Sequence, residues 1–290
     1  MIIKRLFTVL ASLILVASPL TLASSPVWKI SKGDDHIYLG GTIHVLAEAD
    51  YPLPPAFANA YASTDTLILE ADVTSLQTPE FQQQLLQKMS YPPGQSLIDF
   101  LTPDTIDALT AYCESRNIPL QSLSQFKPGM LTVIMTMAEL QNLGQAGTGV
   151  DHFFYLQAKN SRKAIHYLES AEQQLSMLIN MGKGKENELI AYTLKDISHI
   201  SVMLGELKQA WREGNLVQLT KLGITPMKEM DETLYRQLVA ERNKAWIPHL
   251  VALFNNQQKE LVLVGTLHLA GIDSVLTLLK SEGYQIEQMP

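Results

Sequence analysis

Two hydrophobic rhythms run along this chain. Short, mostly β-compatible apolar runs read as strands: "TLILEAD", "KAIHYLES", "ELVLVG" and "YQIEQM". Near the start, Val27 to Ile30 and Ile37 to Leu39, joined by the turn "KGDD", predict a hairpin. The prolines of "PLPPAFANAYAST" can open a helix but not sit inside one. From residue 79 to about 147, apolar residues recur at three- and four-residue spacing. This predicts helices over "PEFQQQLLQKMS", "TPDTIDALTAYCESRN" and "MLTVIMTMAELQNLG". Helical spacing continues in "GVDHFFYLQAKNSRK", then after the "KAIHYLES" strand in "AEQQLSMLINMGKG", "ENELIAYTLKDISHISVMLGELKQAWREG" and "DETLYRQLVAERNKAWIPHLVALFNN".

Within this pattern one phrase occurs twice. "YLGGTIHVL" ends in His44, and "VLVGTLHLAG" places His268 after the same Gly-Thr-aliphatic sequence. The order is strand, GTIH, helix and a strand ending in Glu70. It returns as strand, GTLH, helix and a strand containing Glu287. These read as two βαβ-type units, side by side in one sheet, with a helical block between them. The first loop of such a unit lies at the C-terminal edge of the sheet, where open α/β folds bind ligands, so both histidines belong on one edge. The glycines permit sharp exits from the strands.

Composition narrows the classes. The 290 residues are 46% hydrophobic and 18% charged, which suits an ordinary packed core. A net charge of −7 with scattered Lys and Arg gives no basic face, which argues against nucleic acid. The opening "MIIKRLFTVLASLILVASPLTLASS" has a cationic start, an apolar run and a small-residue end. It reads as a secretory signal over 1–23, cut after Ala23, leaving 24–290 as a single extracytoplasmic domain, periplasmic or secreted. The competing reading is an uncleaved anchor over Leu6 to Leu22. No other segment reaches membrane length, so the mature chain is expected to be soluble. Cys113 is the only cysteine, so no intrachain disulfide can form, and its helical context favours a small buried apolar residue over a reactive thiol.

His44, His268 and a carboxylate at a strand end are a metal-type constellation, since imidazole and carboxylate suit Mn, Co or Zn. The chain has neither H-E-x-x-H nor paired cysteines, so no local zinc signature supports this, and satisfied sheet-edge histidines remain the alternative. Glu70 and Glu169 each follow an apolar strand, where a buried carboxylate needs a partner. For Glu169 the bland alternative is a cap on the helix that follows. Arg242 and Asn243 in "ERNKAW" can orient carboxylates or a carbonyl, or simply lie on a solvated helix face.

"YLGGTIHVL", "PLPPAFANAYASTDTLILEAD", "GVDHFFYLQAK", "YLESAEQQL", "WREGN", "ERNKAW" and "VLVGTLHLAG" together resemble the TraB/GumN family, which includes PrgY-type pheromone shutdown proteins and the Tiki proteases. The resemblance spans nearly the whole mature chain. It implies an α/β fold with a mixed sheet of two related halves, similar to erythromycin-esterase-like and ChaN-like domains. For the Tiki branch it implies a Mn- or Co-dependent metalloprotease. On this chain the metal positions are His44, Glu70 and His268, and Glu169, Arg242 and Asn243 face the same cleft. The extra glycine of "YLGGTIH" leaves the GxxH spacing intact. One expectation is therefore an extracytoplasmic metal-dependent peptidase, with Glu169 as general base and Arg242 stabilising the oxyanion. A second is a non-catalytic protein that binds or sequesters peptides. A third, haem or iron binding through histidine, follows only from the ChaN-like analogy.

Overall fold

A computed structural model describes residues 24–72, 78–256 and 258–290. The expected leader at 1–23 lies outside the described residues.

The hairpin forms as expected. β1 (Val27–Lys32) and β2 (Asp35–Thr42) are antiparallel, with Ile30 opposite Ile37 and Gly33 turning at φ +62°. The remaining strands are β3 (Thr66–Ala71), β4 (Ala164–Glu169), β5 (Glu260–Gly265) and β6 (Gln285–Gln288). All six share one mixed sheet in the order β4-β3-β5-β2-β1-β6. β4, β3, β5 and β2 run parallel, whereas β1 is antiparallel to both its neighbours.

This order corrects the side-by-side expectation. The two crossovers exist, but they interleave. β5, from the second unit, enters between β2 and β3 of the first, and β2 and β1 separate β5 from β6. Burial explains the arrangement. "TLILEA" is buried at every position and "ELVLVG" at all but its last, as central parallel strands covered on both faces must be. β6 alternates between exposed and half-buried residues, as suits an edge. Glu287 is exposed there, opposite Lys29.

Side chains alternate between two cores, as the twofold strand period requires. Leu67, Leu69, Leu261 and Leu263 pack with Phe57, Phe154 and Trp211 on one face. Ile68, Val262 and Val264 pack with Trp246, Leu250 and Leu279 on the other. Gly40 sits where the sheet meets the first face: an added Cβ would come within 2.7 Å of Leu263 Cδ2 and 2.9 Å of Phe57 Cε1.

The helical block holds its own core. The helices Pro103–Ser115 and Pro128–Asn142, each opened by a proline, pack on the long helix Glu186–Arg212 through Leu109, Leu131 and Ile190. Cys113 is buried among them, as a small apolar residue would be. The block is pinned to the sheet where Trp211 Nε1 donates to the Gly41 carbonyl at 2.7 Å.

The continuous helix expected over "DETLYRQLVAERNKAW" is interrupted. Glu232–Tyr235 passes through a π-helical turn, Arg236–Ala240, into the helix Glu241–Ala252. The widened turn takes up one extra residue, which rotates everything beyond it by about 100° at 3.6 residues per turn. Arg242, Asn243 and Trp246 lie just past that rotation, on the side facing the sheet edge.

Candidate functional site

Four parallel strands end at one edge, and their order sets the order of side chains there. β4 delivers Glu169, β3 delivers Glu70, and His268 and His44 follow β5 and β2. Thr42 is in register with Gly265, so the two repeated motifs leave adjacent strands at almost the same height. The helix Glu241–Ala252 adds Arg242, Asn243 and Trp246 from above. All six residues singled out from the sequence therefore meet in one cluster.

His268 is held most firmly. It lies in a 3-10 turn, Thr266–Leu269, and its Nδ1 is 2.6 Å from Asn243 Oδ1. Asn243 donates from Nδ2 to the carbonyls of His268 (3.3 Å) and Asp273 (2.8 Å), which fixes its amide orientation. Its oxygen can then only accept, so His268 carries its proton on Nδ1 and presents a lone pair at Nε2. Burial pushes the His268 pKa down to about 4, keeping the ring neutral. Trp246 packs against it with ring centres 4.5 Å apart.

His44 mirrors this arrangement with a charged partner. Its Nδ1 is 3.0 Å from Asp151 Oδ1 and its Nε2 is 4.0 Å from Glu70 Oε2. The Asp151 charge, opposed by desolvation, raises the His44 pKa to about 9. The side chain is 63% exposed, so water screens part of this attraction. Asp151 comes from the first turn of the helix Val150–Ser161. Gly149 lets that helix approach: an added Cβ would lie 2.1 Å from the His44 carbonyl oxygen.

Glu70 is the meeting point. Its Oε1 accepts the Gly265 N–H at 2.9 Å and lies 3.4 Å from His268 Nε2. Its Oε2 has looser neighbours, Arg242 Nη2 at 3.4 Å and His44 at 4.0 Å. Burial alone would raise this carboxyl, but the charges of Arg242 and His44 and the Gly265 amide help outweigh it and hold the pKa below the usual value.

Glu169 and Arg242 form a two-pronged pair, Nε to Oε1 at 2.7 Å and Nη2 to Oε2 at 3.0 Å. Trp246 Nε1 donates to the same Oε1 at 2.9 Å. Glu169 is not the helix cap. Ser170 is, in a reciprocal box with Gln173. Nor are Arg242 and Asn243 a solvated face, since the Arg242 side chain is 15% exposed and Asn243 is fully buried.

The donors suit a divalent ion in chemistry. Bonds of about 2.1 Å in a tetrahedral set hold donors about 3.4 Å apart. His268 Nε2 lies at that spacing, 3.4 Å, from Glu70 Oε1, whereas His44 Nε2 lies 4.0 Å from the other oxygen, Oε2. Gly265 leaves room between them: a Cβ there would lie 3.4 Å from Glu70 Oε1 and 3.7 Å from His44 Nε2. Both histidines are oriented through Nδ1 by an oxygen acceptor, the usual support of metal-binding imidazoles. The guanidinium of Arg242 touches the same atoms, His268 Nε2 at 3.1 Å and Glu70 Oε2 at 3.4 Å. Among the described residues, no three His, Cys, Asp or Glu side chains are already closed around one point.

Sequence reasoning missed Asp151 and Trp246. The available signals were an acid in the first turn after Gly149 and an indole one helical turn beyond Arg242, both inside the quoted segments "GVDHFF" and "ERNKAW". Thr266, of the second Gly-Thr pair, is buried with no hydroxyl partner among the described residues.

No solved structure matches this chain. It is 26% identical to the uncharacterized protein YbaP of Escherichia coli (strain K12) over 249 residues, covering 86% of this chain and 89% of YbaP. YbaP of Shigella flexneri matches with the same identity and coverage. The model of the TraB/PrgY/gumN family matches residues 26–288, a span that contains every residue of the cluster, and the chain belongs to that family.

Proposed function

We propose that this protein is an extracytoplasmic metal-dependent hydrolase of peptide bonds, with His44, Glu70 and His268 as the ligands of a Mn, Co or Zn ion. The observation that carries this reading is the shared posture of the histidines. Each is tethered at Nδ1, by Asp151 at 3.0 Å or Asn243 at 2.6 Å, with Nε2 turned toward Glu70. A bound divalent ion would supply Lewis acidity to water and to a substrate carbonyl. Glu70 keeps Oε1 on the Gly265 amide, leaving the loosely held Oε2 to face a cation or accept a proton. Arg242 is placed to stabilise negative charge developing on a carbonyl oxygen. Glu169 serves this reading as the clamp that aims Arg242 rather than as general base, because both its oxygens already accept hydrogen bonds. Asn243 acts through His268 as a positioning residue.

The same reading places residues 1–23 as a cleaved signal and the rest as one domain. It also relates the interleaved sheet to erythromycin-esterase-like and ChaN-like folds. Among the described residues no helix is long and apolar enough to cross a membrane.

One observation favours a second reading, a protein that binds or sequesters peptides without cutting them. Arg242 already brings a positive charge to Glu70 and His268, so the cluster holds a cation of its own. Incubating the purified protein with Mn²⁺, Co²⁺ or Zn²⁺ and a peptide library separates the two. Cleavage that EDTA abolishes and His44→Ala removes supports hydrolysis; saturable binding of intact peptides under every metal supports sequestration.

A further inference from the structure

A groove of about 280 Å³ opens between strands β3 and β4 and the helix Glu241–Ala252, walled by Ile68, His166, Leu168, His249 and Glu260. A second hollow of about 390 Å³ shares Leu168 and His249 with it and reaches Glu169 and Arg242. The two adjoin at those shared residues, and together they describe a trough that leads toward the cluster as far as Glu169 and Arg242. Strand register gives its length. Glu260 is level with Thr66, and Glu169 with Ala71, so the trough spans five residues of strand, about 16 Å at roughly 3.3 Å each. It runs beside β4, the outer strand, whose strand partner among the described residues is β3.

The two ends differ in chemistry. Near the cluster, the amides of Gln173, Asn180 and Gln237 line the wall, and the charges there are paired internally, Glu169 with Arg242 and Glu241 with Arg236. Such neutral donors and acceptors match a peptide backbone. At the far end, Glu260 is 1% exposed. Its Oε1 accepts from Asn256 Nδ2 at 2.8 Å, while Oε2 has no partner among the described residues. A buried carboxylate oxygen left unpaired is costly, and a cationic ligand group would supply the missing donor.

We propose that the trough seats an extended peptide segment bearing a lysine or arginine, with the basic side chain reaching toward Glu260 and the backbone following β4 to the His44–Glu70–His268 cluster. The basic residue then lies about five positions from the amide at the cluster, by the strand spacing above. This deepens the peptide reading and rests on it, but it does not require cleavage.

The test uses the metal-free protein and short fluorescent peptides of neutral sequence carrying a single lysine at successive positions, with binding read by anisotropy. Affinity should peak at one lysine position, and Glu260→Gln should weaken that peptide roughly tenfold, as loss of a charged hydrogen bond predicts. Because Glu260→Gln removes an unpaired buried charge, its melting temperature should hold or rise, which separates lost recognition from lost folding. His166→Lys, at an exposed position in the trough, should repel the same peptide without touching the core. Equal affinity for all peptides, no binding, or a lysine preference that survives both substitutions overturns the proposal. Adding Mn²⁺ or Co²⁺ to the same peptides tests hydrolysis separately. Cleavage without lysine preference overturns the trough assignment and spares the hydrolase; lysine-dependent binding of peptides that stay intact does the reverse.

Discussion

Asn243 holds His268 in a single tautomer: its Oδ1 lies 2.6 Å from Nδ1, and its Nδ2 is committed to two backbone carbonyls. Asn243→Ala therefore leaves a buried ring N–H and two carbonyls without partners. It should cost about 1–3 kcal/mol in denaturant unfolding. Divalent-ion affinity, measured by calorimetry, should fall roughly 10- to 100-fold, the usual effect of losing a residue that orients a ligand. Unchanged affinity would remove Asn243 from the site.

Gly265→Ala separates fold from function. The new Cβ would sit 3.4 Å or more from its neighbours, ordinary contact distances, so the melting temperature should stay near wild type. The methyl group would occupy the space between Glu70 Oε1, His268 and His44 Nε2. Metal binding and cleavage should drop together, by at least about tenfold if a methyl displaces one ligand contact.

Arg242 contacts Glu70 and His268, so on the proposed reading it would compete with a metal ion for both. Removing Arg242 alone would strand the buried Glu169 charge, so Arg242→Gln is best paired with Glu169→Gln. The double variant should bind Mn²⁺ or Co²⁺ more tightly than wild type yet cleave roughly 100-fold more slowly, having lost its oxyanion donor. Weaker metal binding would show that the guanidinium supports the site instead of competing for it.

The metal-free protein should be most stable near pH 6.5. His268 has a folded pKa of about 4 against 6.5 unfolded, so the unfolded chain takes up the proton first as pH falls between those values. Stability should decline over that window by up to about 3 kcal/mol. His44 shifts the other way, to about 9, so the stability from its Asp151 pair is fully present below pH 6.5 and lost as pH rises toward 9. The exposure of His44 makes this alkaline limb the shallower one. Urea midpoints across pH should flatten on the acid side in His268→Gln and on the alkaline side in Asp151→Asn.

Much of this site was legible because its parts sit on strands with plain signals. "TLILEA" and "ELVLVG" announce doubly buried strands, and a histidine or carboxylate at the end of such a run must emerge at the sheet edge. Strand order was not legible. The apolar runs of β3 and β5 are interchangeable in local pattern, and only the packing of both faces decides that β5 enters between β2 and β3. Asp151 escaped notice because it reaches His44 through a backbone approach that depends on the missing side chain of Gly149. The π-turn escaped for a related reason: "DETLYRQLVAERN" carries no Gly or Pro to mark a register change, and the rotation serves tertiary contacts alone.

The interleaved sheet also constrains when the protein can fold. β5 lies at the heart of the sheet yet begins at Glu260, so a growing chain cannot join β2 to β3 until it has been made at least that far. Pairings so distant in sequence make folding slow. A chain truncated before Glu260 should therefore keep at most the separate β1–β2 and β3–β4 pairings, without the strand that joins them.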